Sequence, residues 1–283
     1  LFLGSGSVIH GMHEVEHELE HDGHGHHLDP QDMRTMGGLK KFMPATRMTF
    51  LISTLAIAGI PGLAGFFSKD EILFKAFEAG THGIDVGLVV WVVGLITAFL
   101  TAVYMTRAYV LTFEGEPRWP HADKITPHES PWTMTVPLWV LAGMSVVGGY
   151  LGIPAVIAHG DLNWIHHWLA GEQGPVAEAA FEGHVALAVE WGLIALGSLI
   201  AIMGVWLGWR WYSKRGLSFD EKLAARFGGL YKLWQGKYFF DEAYDKTIVR
   251  PLIGGSIHGL APFDKYVIDG LVNFTGFFTR GAS

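Results

Sequence analysis

The chain holds 283 residues, 50% of them hydrophobic and only 17% charged, with a net charge of −7 and a mean hydropathy of +0.28. A soluble domain carries about a quarter charged residues, so this balance points to the membrane, as do the 37 Gly and 11 Trp. The absence of cysteine excludes disulfides, thiolate metal sites, iron–sulfur clusters and a Cys nucleophile, and no basic block suggests nucleic acid.

The opening stretch LFLGSGSVIH has no initiator Met and none of the charged or cleavable parts of a leader. It reads as the end of an apolar helix cut from a longer chain. A His-rich run follows, HGMHEVEHELEHDGHGHHLDP, placing His10, His13, His17, His21, His24, His26 and His27 among acids. Spacings of three and four put His10, His13 and His17 on one helical face, a geometry suited to a divalent metal. No fixed four-ligand pattern stands out, and a solvated polar loop accounts for the run equally well, so no metal site is assigned. His10 differs from the others because it directly follows an apolar stretch. It is a candidate for proton handling at membrane depth, with an ordinary place at a helix end as the alternative.

Uncharged apolar runs of about the length that crosses a bilayer then occur at 48–68, 86–106, 136–153 and 191–209. The expected membrane domain covers 1–217, with spans at 1–13, 43–79, 85–112, 132–153 and 186–212. Lys and Arg are present in the loops at 15–47 and 107–131, absent from those at 80–85 and 154–190, and frequent after 209. That alternation places the first and third loops and the tail in the cytoplasm. His184 and Glu190 fall at the opposite interface, just before and at the start of the last span.

The stretch GIPGLAGFFSKDEILF, residues 59–74, carries Lys69, Asp70 and Glu71 in an otherwise apolar setting. Apolar sequence resumes after them, so the segment runs for roughly 32 residues, or about 48 Å as helix, more than one straight crossing. Its middle holds Gly59, Pro61, Gly62 and Gly65, the composition of a discontinuous membrane helix that frees backbone groups for an ion site. An ammonium in a dry site gives up its proton more readily, and a nearby carboxylate reverses that. Lys69 beside Asp70 is therefore a candidate proton relay, with an ion pair at a helix end as the plain alternative. From 218 to 283 no uncharged run reaches spanning length. Stretches at 244–253 and 266–278 are amphipathic, and Pro251 and Pro262 are expected to interrupt or bend the helix.

Taken in order, LFLGSGSVIH, QDMRTMGGL, GIPGLAGFFSKDEIL and KYFFDEAYDKTIVRP closely resemble the antiporter-like subunit L of respiratory complex I. The resemblance covers nearly the whole chain. It implies an all-α polytopic bundle, the second half of an inverted-repeat antiporter-like fold, with a lateral amphipathic helix beginning near 218. It further implies proton translocation driven by quinone reduction elsewhere in an NADH–quinone oxidoreductase. Lys69 maps to a terminal relay lysine with Asp70 beside it, and His10 to a histidine of less certain role. Neighbouring membrane subunits of the M and N type and the lipid bilayer are the implied partners, in a bacterial inner membrane. No cofactor is expected in this chain, and quinone is reached only indirectly. The first repeat and the final span fall outside the sequence. The His-rich run and the long loop at 154–190 depart from the family pattern. The nearest alternative is the large subunit of a multisubunit sodium–proton antiporter. A metal transporter would rest on the His-rich run alone, and a purely structural clamp on the lateral helix.

Overall fold

The computed structural model describes residues 1–21, 28–153 and 186–282, together with 157, 164, 165 and 168. His24, His26, His27, His184 and most of the loop at 154–190 lie outside the described residues. Their regular elements are all helices, with no strand among the described residues, and the chain divides into two bodies, 1–219 and 220–283.

Among the described residues, the first body contains six long helices. They are α1 Phe2–His21, α2 Pro44–Ala58, α3 Ala64–Thr81, α4 Asp85–Phe113, α5 Trp132–Val147 and α6 Leu187–Arg215. Among the described residues, three regions are long and apolar enough to cross a membrane: Val86–Phe113, Trp132–Leu151 and Leu187–Lys214. The segment expected at 43–79 as a discontinuous helix comprises two helices, α2 and α3, meeting at a break. α4 is central and packs against α2, α3 and α6. Its contact with α6 is close because α6 offers glycines. A Cβ on Gly204 would lie 2.6 Å from the Ala102 Cβ, and one on Gly208 would lie 2.9 Å from the Thr106 Cβ. Small residues that let backbones approach are the usual glue between helices in lipid.

α1 runs past the span expected at 1–13. Val8, Met12, Val15 and Leu19 recur at spacings of four, three and four and are buried, so one apolar stripe carries the helix to His21. The His and Glu residues occupy its other face and mask the stripe in any average of hydropathy. The first half of the His-rich run is therefore helix, where a solvated loop was the plain expectation.

The hydrophobic core of this body lies at one end of the bundle. It joins the α1 stripe to Leu39, Phe50, Tyr109, Phe113, Trp119 and Ile125. The first and third loops, expected on one side of the membrane, meet here. Gly38 N–H donates to the Glu114 carbonyl at 3.0 Å. Arg118 donates to the carbonyls of Arg34 (2.8 Å), Met33 (3.0 Å) and Leu111 (2.6 Å). Glu114 binds Lys40 Nζ at 2.6 Å and Arg47 Nη2 at 3.3 Å. Burial pushes the Glu114 carboxyl up, but the Lys40 hydrogen bond and charge, the Tyr109 hydroxyl and the Arg47 charge outweigh it. The group titrates below its ordinary value.

The second body is helical too. α7 Ser218–Arg226, which begins two residues before it, leads to α8 Gly228–Gln235. A left-handed kink follows at Lys237, Tyr238 and Phe239, with φ of 50°, 60° and 56°. From Phe240 the helix continues to Ala282, and the prolines do not interrupt it. Pro251 follows a π-helical turn at Asp245–Val249, and Pro262 follows one at Ser256–Leu260. A wider turn removes the clash between a proline ring and the carbonyl four residues back. A third π turn spans Asp264–Ile268. In the last segment, Asp269–Ala282, Leu271, Phe274 and Phe278 share one exposed apolar face.

Candidate functional site

The α2–α3 break follows from local chemistry. Gly59 ends α2 in the left-handed conformation at φ 86°, a backbone state in which glycine escapes the Cβ penalty. Its N–H donates to the Ala56 carbonyl at 3.1 Å, and the Ile60 N–H to the Leu55 carbonyl at 3.2 Å. This double bond pattern closes a helix but leaves later carbonyls free. Pro61 has no N–H to continue the ladder. α3 starts again at Ala64 and passes so close to α2 that a Cβ on Gly65 would overlap the Ala56 carbonyl oxygen.

Lys69 bridges the gap. Its Nζ donates to the freed Ile57 carbonyl at 2.6 Å, so the ammonium sits on the negative end of the α2 dipole. The side chain crosses Gly59, where a Cβ would stand 3.3 Å from Lys69 Cδ. It also borders a cavity of about 410 Å³ between α3 and α4, lined by Ile72, Leu73, Val93, Thr97 and Thr101 among others.

Asp70 points elsewhere, against α6. A Cβ on Gly197 would lie 2.8 Å from Asp70 Oδ1. Asp70 Oδ2 is buried without a partner, as is Thr54 Oγ1 one turn before the break. Lys69 and Asp70 therefore do not form the ion pair that adjacency suggested. Consecutive helical positions are about 100° apart, and the two side chains serve different neighbours. An uncompensated buried polar atom in a span calls for a functional explanation.

His10 is exposed on the flank of α1 and does not end a helix. With His13, Glu14, His17, Thr126 and His128 it lines a cavity of about 470 Å³ at the loop end of the bundle. Among the described residues no group of His, Asp or Glu has the arrangement to hold a metal ion.

Two acidic residues escaped sequence reasoning. Glu78, 3% exposed, pairs with Lys75 Nζ at 2.8 Å near the far end of α3. The spacing of three between the two was its only signal. Glu129 accepts from the Ala45 N–H at 2.6 Å and the Thr46 N–H at 3.3 Å, and so caps α2 from 83 residues away. The signal there was an absence: Met43 stands at the N-cap of α2 and can supply no local cap.

An all-helical bundle of uncharged spans, one of them broken and bridged by a lysine, is the architecture of an antiporter-like membrane subunit. A family model described as NADH:quinone oxidoreductase/Mrp antiporter, TM, matches residues 1–101. NAD(P)H-quinone oxidoreductase chain 5 of a Picosynechococcus species is 41% identical over 303 residues, covering 99% of this chain and 41% of the relative. The chain 5 of a Synechocystis species is 39% identical over 325 residues, covering 99% and 43%. The chloroplastic subunit 5 of Zygnema circumcarinatum is 33% identical over 326 residues, covering 99% and 44%. The chain belongs to this NAD(P)H-quinone oxidoreductase chain 5 family, as the motifs implied, and spans about two fifths of the curated relatives it matches. These relatives carry quinone oxidoreductase names, which does not favour the sodium–proton antiporter alternative.

Proposed function

We propose that the full-length protein translocates protons as a membrane subunit of an NAD(P)H–quinone oxidoreductase, with Lys69 and Asp70 as relay groups and no redox site in this chain. The observation that carries the reading is the 2.6 Å bond from Lys69 Nζ to the Ile57 carbonyl across the broken helix. A hydrogen bond from a charged donor contributes about 1.5–3 kcal/mol. Moving one charge through 100 mV of membrane potential involves about 2.3 kcal/mol. The contact is thus of a size that a single charge displacement nearby can make or break. Asp70, whose Oδ2 is buried without a partner beside α6, is the group whose charge we assign to do so.

His10 is a further candidate relay on the loop side. The first and third loops and the tail face the cytoplasm in this reading, because they hold the Lys and Arg excess. The exposed apolar face of the tail helix contacts neighbouring antiporter-like subunits of the complex and the lipid surface.

The test uses the full-length protein in its complex, in closed vesicles, with NAD(P)H-driven pumping measured beside electron transfer. Lys69→Ala is expected to reduce pumping by about 10²-fold or more. Lys69→Arg keeps a cation on the Ile57 carbonyl but cannot release a proton, and is expected to fail as well. Parental pumping by an assembled Lys69→Arg complex would sink the relay.

A further inference from the structure

The loop end of the bundle holds a second constellation that the broken helix does not use. The exposed flank of α1 presents His10, His13, Glu14, His17 and Glu18 to the 470 Å³ cavity, closed opposite by Thr126 and His128. His128 Nε2 lies 2.8 Å from Glu14, and His13 Nδ1 lies 3.3 Å from Glu16. Glu129, next in the chain to His128, is half-buried and turns inward. Its Oε1 accepts the Thr46 hydroxyl at 2.6 Å, Thr46 Oγ1 is 2.7 Å from Ser7 Oγ, and Ser7 Oγ is 2.7 Å from Ser130 Oγ. Ser130 Oγ in turn reaches the Ser7 carbonyl at 3.3 Å. Ser7 and Thr46 are wholly buried and Ser130 nearly so.

Counting hydrogens gives this chain its meaning. Each hydroxyl has one proton to donate. With Glu129 protonated and donating to Thr46, the chain is complete: Thr46 donates to Ser7, Ser7 to Ser130, and Ser130 to the Ser7 carbonyl. With Glu129 ionised, Thr46 donates to the carboxylate instead, and the Ser7–Thr46 contact is left without a hydrogen. The two arrangements differ by one proton on Glu129 and by the direction of the Thr46 hydroxyl. A buried network whose hydrogen bonding is switched by one proton is a two-state element.

We propose that Glu129 and the histidine-lined cavity beside it form a proton-loading site. It deepens the reading of the chain as part of a proton translocator and rests on it. A cavity imidazolium gives its proton to the Glu129 carboxylate and is left neutral. The Thr46 hydroxyl then turns from the carboxylate to Ser7 without gain or loss of its proton, and the change is felt on α1 and α2 together. Imidazoles titrate near physiological pH, which suits them to collect protons from water. The titratable groups facing the site are those of the α1 flank and His128. α2 faces it with the Ala45 and Thr46 N–H groups and the Thr46 hydroxyl.

The test uses the assembled complex in closed vesicles, reading protons pumped per electron across pH. Glu129→Gln keeps an acceptor for the α2 cap but holds the chain in one order, and its pumping is expected to fall several-fold. Glu129→Asp keeps the carboxylate and is expected to retain pumping. The exposed triple variant His13→Gln, His17→Gln, His128→Gln is expected to lose pumping as pH rises, with recovery on adding imidazole buffer. Parental pumping by Glu129→Gln, equal failure of Glu129→Asp, or a triple variant indifferent to pH and buffer would each overturn the proposal. Lys69→Ala run alongside separates the two readings. Its loss of pumping beside parental Glu129→Gln removes this inference alone, whereas parental pumping in Lys69→Ala removes the relay beneath it.

Discussion

Gly197 matters because of what it lacks. With no side chain it lets the Asp70 carboxylate rest against α6, and a Cβ there would stand 2.8 Å from Oδ1. Gly197→Ala must therefore displace the Asp70 carboxylate, the cheaper of the two groups to move. The expected result is an assembled complex whose pumping per electron falls, measured in vesicles as for Lys69. At the other end of the body, Glu114 is 12% exposed and held by Lys40 and Arg47. Glu114→Gln should cost about 1–3 kcal/mol by leaving those cations short of an acceptor. The pH dependence has a definite sign. A carboxyl depressed in the folded state adds stability above its unfolded value and loses it as pH falls through the folded one. The thermal midpoint of the solubilised protein should thus drop on acidification below the ordinary glutamate range, and drop less in Glu114→Gln.

Elements were legible where one signal dominated. Uncharged runs mark α4, α5 and α6 in the sequence, and Pro61 with its glycines marks the α2–α3 break. The extension of α1 was not legible, because its four buried residues are diluted by polar ones on the opposite face. Within the candidate site, Lys69 and Asp70 were legible but their directions were not, since Gly197 and Ile57 lie far from them in sequence or across the break. Glu129 was illegible for the same reason: its partners Ala45 and Thr46 are 84 and 83 positions upstream, and nothing local declares the link. The break itself gives a graded prediction. Gly59→Ala retains the geometry at about 1–2 kcal/mol for a left-handed residue. Gly65→Ala places a Cβ on the Ala56 carbonyl, which no rotamer change can relieve. Assembly yield should fall little for the first and severely for the second.

At the scale of the whole chain, the first body is packed most tightly where the first and third loops meet, and the faces of its long spans are left apolar and open. The second body is a helix whose buried side chains, among the described residues, are none. Its three π turns bear on how its apolar face can be laid along anything straight. Each π turn inserts one residue and so advances the angular phase of every side chain beyond it by about 100°. One insertion would swing the far end of the stripe a quarter-turn out of line, and two would nearly reverse it. Three sum to about 300°, within about 60° of a full revolution. The turns at Asp245–Val249, Ser256–Leu260 and Asp264–Ile268 thus act as a vernier: the stripe beyond them is returned to within about 60° of where an uninterrupted helix would carry it, and deleting any single residue among them would aim that end of the helix elsewhere.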